Sequence, residues 1–271
     1  MCNDLANSLR KLEVIRRNLD HLRDATDHNT SGIDALISGL DDQIKNKKTE
    51  VEKCLDKKDI KPVPITIAVS SIECWNETGG EIGDDSPYVL VFAIDLATAI
   101  PAPVATLVGP WTGVTDGEHH GTINPIPNLP DSLTGQVVKR PFWSTTGAAK
   151  LIAKPNDVIF LIMMVEHDNS DLPGLRVLLE ALLTSKVPAI RSEDRAHAVA
   201  ALIKTLNDGF GKARQDFTFP PNFDDQIGPA RELRLSTLDL KLAAFRKHHM
   251  SLDFRGDGGS YTVNFELTTP K

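Results

Sequence analysis

The chain has 271 residues, 41% hydrophobic and 25% charged, an ordinary globular composition with enough apolar material to bury a sizeable core. A formal net charge of −7 excludes a general nucleic-acid binder, and three cysteines exclude a scaffold built on disulfides. No apolar run reaches the roughly 18 residues of a membrane span, and Met1 to Arg10 is polar rather than signal-like. The expectation is a soluble chain without a transmembrane segment, cytoplasmic or released by a non-classical route, with the compartment open.

From the start, Leu5, Leu9, Leu12, Ile15, Leu19 and Leu22 fall three or four apart, which predicts one helix face. The polar stretch from Asp27 to Gly32 breaks the pattern, with Ser31 as the expected N-cap and Asp34 in the first turn. A second stripe follows in Ile33, Ile37, Leu40, Ile44, Val51 and Leu55, and the short connection makes the two helices antiparallel neighbours. Lys61-Pro-Val-Pro64 ends this hairpin, because proline lacks the amide donor and disfavours helix in the residue before it. Residues 1–61 therefore read as a helical hairpin of coiled-coil character, suited to homo-oligomerisation or anchoring.

A hairpin turning near residues 28 to 29 pairs positions whose numbers sum to about 57, which puts Cys2 opposite Cys54 at the base. Proximity is the firm expectation. A bridge, which needs an oxidising compartment, and two incidental thiols are both compatible with the spacing. Cys74, beyond the linker, is expected to stay single.

After residue 64 the texture turns to β, in Ile65–Val69 and Tyr88–Ile94. Residues 97–156 are rich in proline and glycine and read as short strands on long loops. Val158 to Val165 is a continuous apolar run, expected as a strand buried on both faces. At about 172–213 two helical stripes interrupt the β texture and read as an insertion packed on the host. The chain returns to β at Leu233-Arg-Leu235 and closes on the alternating strand Tyr261–Leu267. Residues 65–271 are thus expected to form an all-β antiparallel sandwich with a helical insertion.

Three acidic segments flank these strands: Glu77-Thr-Gly-Gly-Glu81-Ile-Gly-Asp84-Asp85-Ser-Pro-Tyr88 before a strong strand, Glu166-His-Asp168-Asn-Ser-Asp171 after the apolar strand, and Asn222-Phe-Asp224-Asp225-Gln-Ile-Gly228 opening the return to β. Each alone is also an ordinary turn sequence. Were they to converge, two carboxylates about 5 Å apart at an effective dielectric near 20 would repel by roughly 3 kcal/mol. A cation or raised pKa values must then relieve the repulsion, and closely spaced carboxylates suit calcium, which takes six to eight oxygens.

The order of these segments is similar to that of a C2 domain. Gly83-Asp-Asp-Ser-Pro-Tyr-Val-Leu-Val91 resembles the family's first calcium loop and the strand after it, and Val165-Glu-His-Asp-Asn-Ser-Asp171 resembles its third loop. Asp224-Asp-Gln-Ile-Gly228 resembles the close of that loop, with Leu233 to Leu238 as the next strand. The resemblance spans about residues 65 to 267. It implies calcium at Glu166, Asp168, Asp171 and Asp225, with Asp224 beside them, and Asp84 or Asp85 as first-loop ligands because Ser86 stands where the family has aspartate. The helical segment between Asp171 and Asp224 departs from the family's short third loop.

Other constellations are weaker. Glu118-His-His120, His167 and His248-His249 match no zinc spacing. No Gly-x-Ser-x-Gly, phosphate-cradling glycine loop or activated cysteine points to an enzyme. The leading expectation is a calcium-dependent module docking to anionic membrane lipids or a protein partner. A membrane-active, toxin-like effector and a metal-dependent hydrolase are the alternatives.

Overall fold

Helices α1 (Cys2–Asp24) and α2 (Ser31–Asp56) occupy the two stripe-bearing segments in a computed structural model that describes residues 1–25, 30–78, 85–121, 141–143, 148–168, 172–190, 193–216 and 224–270. Their shared face buries Leu9, Ile44, Val51 and Leu55. Arg16 to Asp41 (2.9 Å) and Lys48 to Glu13 (3.1 Å) cross the pair, fixing the antiparallel register. The Cys2–Cys54 disulfide closes the base, with Cα atoms 5.8 Å apart, while Cys74 stays single and buried. Toward the turn the stripe is only partly used, and Ile15 and Leu22 are exposed. The N-cap is Thr30 rather than Ser31, and the Thr30 hydroxyl donates to Asp34 instead of accepting from the backbone.

After the proline linker the chain builds two antiparallel sheets. The first orders β4 (His119–Gly121), β1 (Pro64–Asn76), β10 (Gly259–Thr268) and β9 (His248–Gly256), and the short β5 (Lys150–Leu151) also pairs β1. The second orders β3 (Pro103–Val108), β2 (Pro87–Asp95), β6 (Val158–Glu166) and β7 (Asp225–Gln226), with β8 (Arg231–Glu232) also on β6.

One apolar core takes alternate residues from both sheets. It holds Ile65, Ile67 and Val69, then Ile72 and Cys74, from β1. A register shift between Val69 and Ser71 explains why the inward positions change from odd to even. Val89 and Val91 of β2, Phe160, Ile162 and Met164 of β6, and Val263 and Phe265 of β10 complete it. As the apolar run predicted, β6 is buried on both faces. Its other face, with Tyr88, Leu90 and Phe92 of β2, packs against Leu179, Leu183, Leu202 and Leu206 of helices α3 (Leu172–Ile190) and α4 (Arg195–Asp216).

The outer face of the first sheet is covered differently. A second row on α1, at 3, 7, 10, 14, 17, 21 and 24, repeats at intervals of four and three, and most of it is polar. The Asn7 side chain accepts from Arg246 (2.6 Å), Arg17 donates to Ser251 of β9 (2.6 Å), and Asp24 pairs with Arg255. The His21 ring stacks on Trp75 of β1, centroids 4.2 Å apart.

Two expectations change. The class is mixed α and β rather than all-β, because among the described residues five helices of 9 to 26 residues accompany the sheets, and α1, α3 and α4 cover their outer faces. Leu233-Arg-Leu235 is not a strand either. The bond from the Leu233 amide to the Phe160 carbonyl (2.9 Å) is the last to β6, and Ser236 with Asp239 forms a capping box that starts α5 (Thr237–Phe245), which packs on the hairpin base through Leu242.

Candidate functional site

β6 is the axis of the acidic end. Its last residue, Glu166, pairs with Pro87 on one side and Asp225 on the other, so sheet register brings the three acidic segments together. The Ser86 amide donates to Glu166 Oε1 (3.2 Å), and the His167 amide donates to the Ser86 carbonyl (3.2 Å). The Asp168 amide donates to Asp224 Oδ1 (3.0 Å), bridging 56 residues of sequence.

The buried acids at this end have definite employments. Asp224, 3% exposed, accepts from the Tyr88 hydroxyl at 2.8 Å, and His167 Nδ1 lies 3.3 Å from its other oxygen. That hydrogen bond, with the charges of Asp224, Glu166 and Asp168, holds the His167 imidazole above its ordinary range despite burial. Asp85, 6% exposed, accepts from the Thr78 amide (2.8 Å), the Thr78 hydroxyl (2.7 Å) and the Tyr261 hydroxyl. Burial, then the bond to Asp85, pushes the Tyr261 phenol far up, so it stays a donor, and burial raises the neighbouring Cys74 thiol to about 12. The chain has two tyrosines, and both end on a buried aspartate at this end of the sheets.

The structure therefore gathers Glu166, Asp168, Asp224 and Asp225 and sets Asp85 beside Ser86 at their margin, whereas Asp84 and Asp171 lie outside the described residues. Among the described residues no group of three His, Cys, Asp or Glu side chains is arranged to hold a metal ion. The histidines do not assemble: His120 pairs with Glu118 (2.8 Å), His248 with Asp239 (2.8 Å) and His167 with Asp224. Also among the described residues, no helix is long and apolar enough to cross a membrane.

Tyr88, Thr78, His167 and Tyr261 went unread in the sequence as partners of these acids. The only advance signal was the rarity of tyrosine in a chain whose two copies sit on strands. The polar row on α1 was equally silent, although its interval was available. Compared with protein-family models, with curated proteins and with solved structures, the chain matches none.

Proposed function

We propose that this chain is a calcium-dependent binding module of C2-like character that docks to anionic lipid head groups through the acidic end of its second sheet. The observation that carries this reading is the convergence, at the end of β6, of three acidic segments far apart in sequence. The carboxylates of Asp224, Glu166 and Asp168 lie about the His167 imidazole, and Asp225 pairs with Glu166 in the sheet, a local concentration of acidic oxygens that suits a divalent cation. The donor chemistry is all oxygen, which suits a hard cation. Asp224 and Asp85 hold the frame through hydroxyl and amide donors, while Glu166, Asp168 and Asp225 are the described residues that would supply ligands. For a chain with a net charge of −7, a bridging cation offsets the repulsion from an anionic surface. The Cys2–Cys54 bridge favours an oxidising compartment for this activity.

The test is sedimentation with phosphatidylserine vesicles, with calcium or a chelator, alongside calorimetric calcium titration. Calcium-dependent pelleting that disappears in Asp168→Asn/Asp225→Asn supports the reading. Identical behaviour of wild type and variant in calcium and chelator overturns it.

A further inference from the structure

A cavity of about 880 Å³ lies between α1 and the outer face of the first sheet, with the segment leading into α5 contributing to its lining. That size fits a small molecule. The cavity belongs to a different face from the acidic end, and its lining mixes charged and polar side chains with apolar ones such as Leu9, Val14, Leu238 and Met250. α1 contributes Arg10, Arg16 and Arg17 together with Glu13, α2 adds Lys48, and Arg234 precedes α5; the other acids of the lining are Glu73, Asp239 and Asp253.

The pairing of these charges is uneven. Arg17 lies 3.6 Å from Glu73, Lys48 lies 3.1 Å from Glu13, Asp239 holds His248 at 2.8 Å and Asp253 holds His21 at 3.5 Å. Arg16 is engaged by Asp20 and Asp41. Every acid of the cavity thus has a cationic or imidazole partner, whereas Arg10 and Arg234 have no carboxylate partner among the described residues. Two guanidinium groups are left directed to one solvent-filled space, and a guanidinium's planar fork matches the oxygens of a phosphate or carboxylate.

The remaining lining suits hydroxyl groups. The Ser71 and Ser251 hydroxyls on the sheet wall accept from Asn264 (3.1 Å) and Arg17 (2.6 Å), which leaves each its own proton to donate to a ligand. His249 adds a ring that burial, then Arg10, holds down to about 4, so it is neutral at physiological pH and offers one donor and one acceptor.

We infer that this cavity binds a small polyhydroxylated anion, a monosaccharide-sized molecule carrying one phosphate or carboxylate, with Arg10 and Arg234 taking the anionic group and the serine-lined sheet wall taking the hydroxyls. Binding here requires no calcium, which separates it from the acidic end.

The experiment is calorimetric titration of the full chain, in chelator, with glucose 6-phosphate and glucuronate as probes and glucose as the neutral control. At least one anionic probe binds saturably, and glucose binds at least tenfold more weakly. Replacing Arg10→Gln and Arg234→Gln together lowers the affinity on the order of tenfold per arginine, as expected for charge-assisted hydrogen bonds. Both side chains are exposed, so an unchanged melting temperature confirms that the double variant is folded. Absence of binding by both anionic probes overturns the inference, as does affinity unchanged in the folded double variant or equal affinity for glucose.

Discussion

The imidazole of His21 lies flat on the indole of Trp75, the ring planes within 14° of each other, and this contact joins the helical hairpin to the first sheet. His21 is buried, and its ring nitrogens face Thr262 and Ser260 of β10. Stacked ring pairs contribute about 0.5–1.5 kcal/mol beyond their burial. In a double-mutant cycle of His21→Ala and Trp75→Leu, denaturant unfolding should show a coupling of roughly 1 kcal/mol. Simple additivity would make the contact incidental.

The Cys2–Cys54 bridge, spanning 52 residues, should dominate the hairpin's own stability. Chain entropy sets its contribution at about 4 kcal/mol. Replacing both cysteines with serine should lower the unfolding free energy by up to that amount, and reduction of the wild type should reproduce the loss. Peptide mapping without reductant should find the Cys2–Cys54 link and leave Cys74 alkylatable only after unfolding.

Two histidines give opposite pH dependences. His167 is raised above its ordinary 6.5, chiefly by the hydrogen bond to Asp224, so its stabilising contribution is complete below pH 6.5 and is lost as pH rises through the higher folded value. His249 is lowered to about 4, chiefly by burial, so its contribution is present above pH 6.5 and is lost as pH falls through the lower value. Melting temperatures should show His167→Gln destabilised near about pH 5.5 and close to wild type near about pH 9. His249→Gln should show a shallower fall from neutral pH to about pH 4 than wild type. Parallel curves for all three proteins would contradict both assignments.

Gly228, between β7 and β8, holds φ at 73°, and a Cβ there would run into the Arg255 backbone of β9. The left-handed conformation alone costs a substituted residue about 1–3 kcal/mol, and the collision adds to it. Gly228→Ala should therefore destabilise by at least that amount. Gly39→Ala, in α2 where a Cβ meets nothing within 4 Å, should stabilise by roughly 0.5–1 kcal/mol. Equal effects at the two sites would show that the turn tolerates a side chain.

What could be read in advance follows the strength of periodic signals. The stripes of α1 and α2 were legible, and with them the Cys2–Cys54 register, because apolar spacing reports a burial that polar loops do not mask. The double-faced burial of β6 was legible from an unbroken apolar run. Helix α5 was missed because Leu233-Arg-Leu235 alternates like a strand, although Ser236 and Asp239, spaced as a capping box, were there to be read. The row through Arg17, His21 and Asp24 was missed because polar residues on a helix ordinarily mean water. In the acidic end the sequence showed the carboxylates but not their donors. Tyr88 and Tyr261 come to Asp224 and Asp85 from positions 136 and 176 residues away, and no local pattern encodes that.

The two helical coverings of the sheets are fastened by different forces, and that predicts how the molecule comes apart. α3 and α4 adhere through Leu179, Leu183, Leu202 and Leu206, an oily seam that added salt tightens. α1 adheres through Arg17, His21, Asp24 and their partners, a seam that ions screen. Rising ionic strength should leave amide protection on β6 untouched while speeding hydrogen exchange on β9 and β10, as the hairpin lifts away intact, its base held by the disulfide and its tether the Pro62-Val-Pro64 segment. The two coverings should then part in order, the polar seam loosening with salt around the apolar contact with Leu242, and the leucine seam of α3 and α4 giving way only when the whole structure fails.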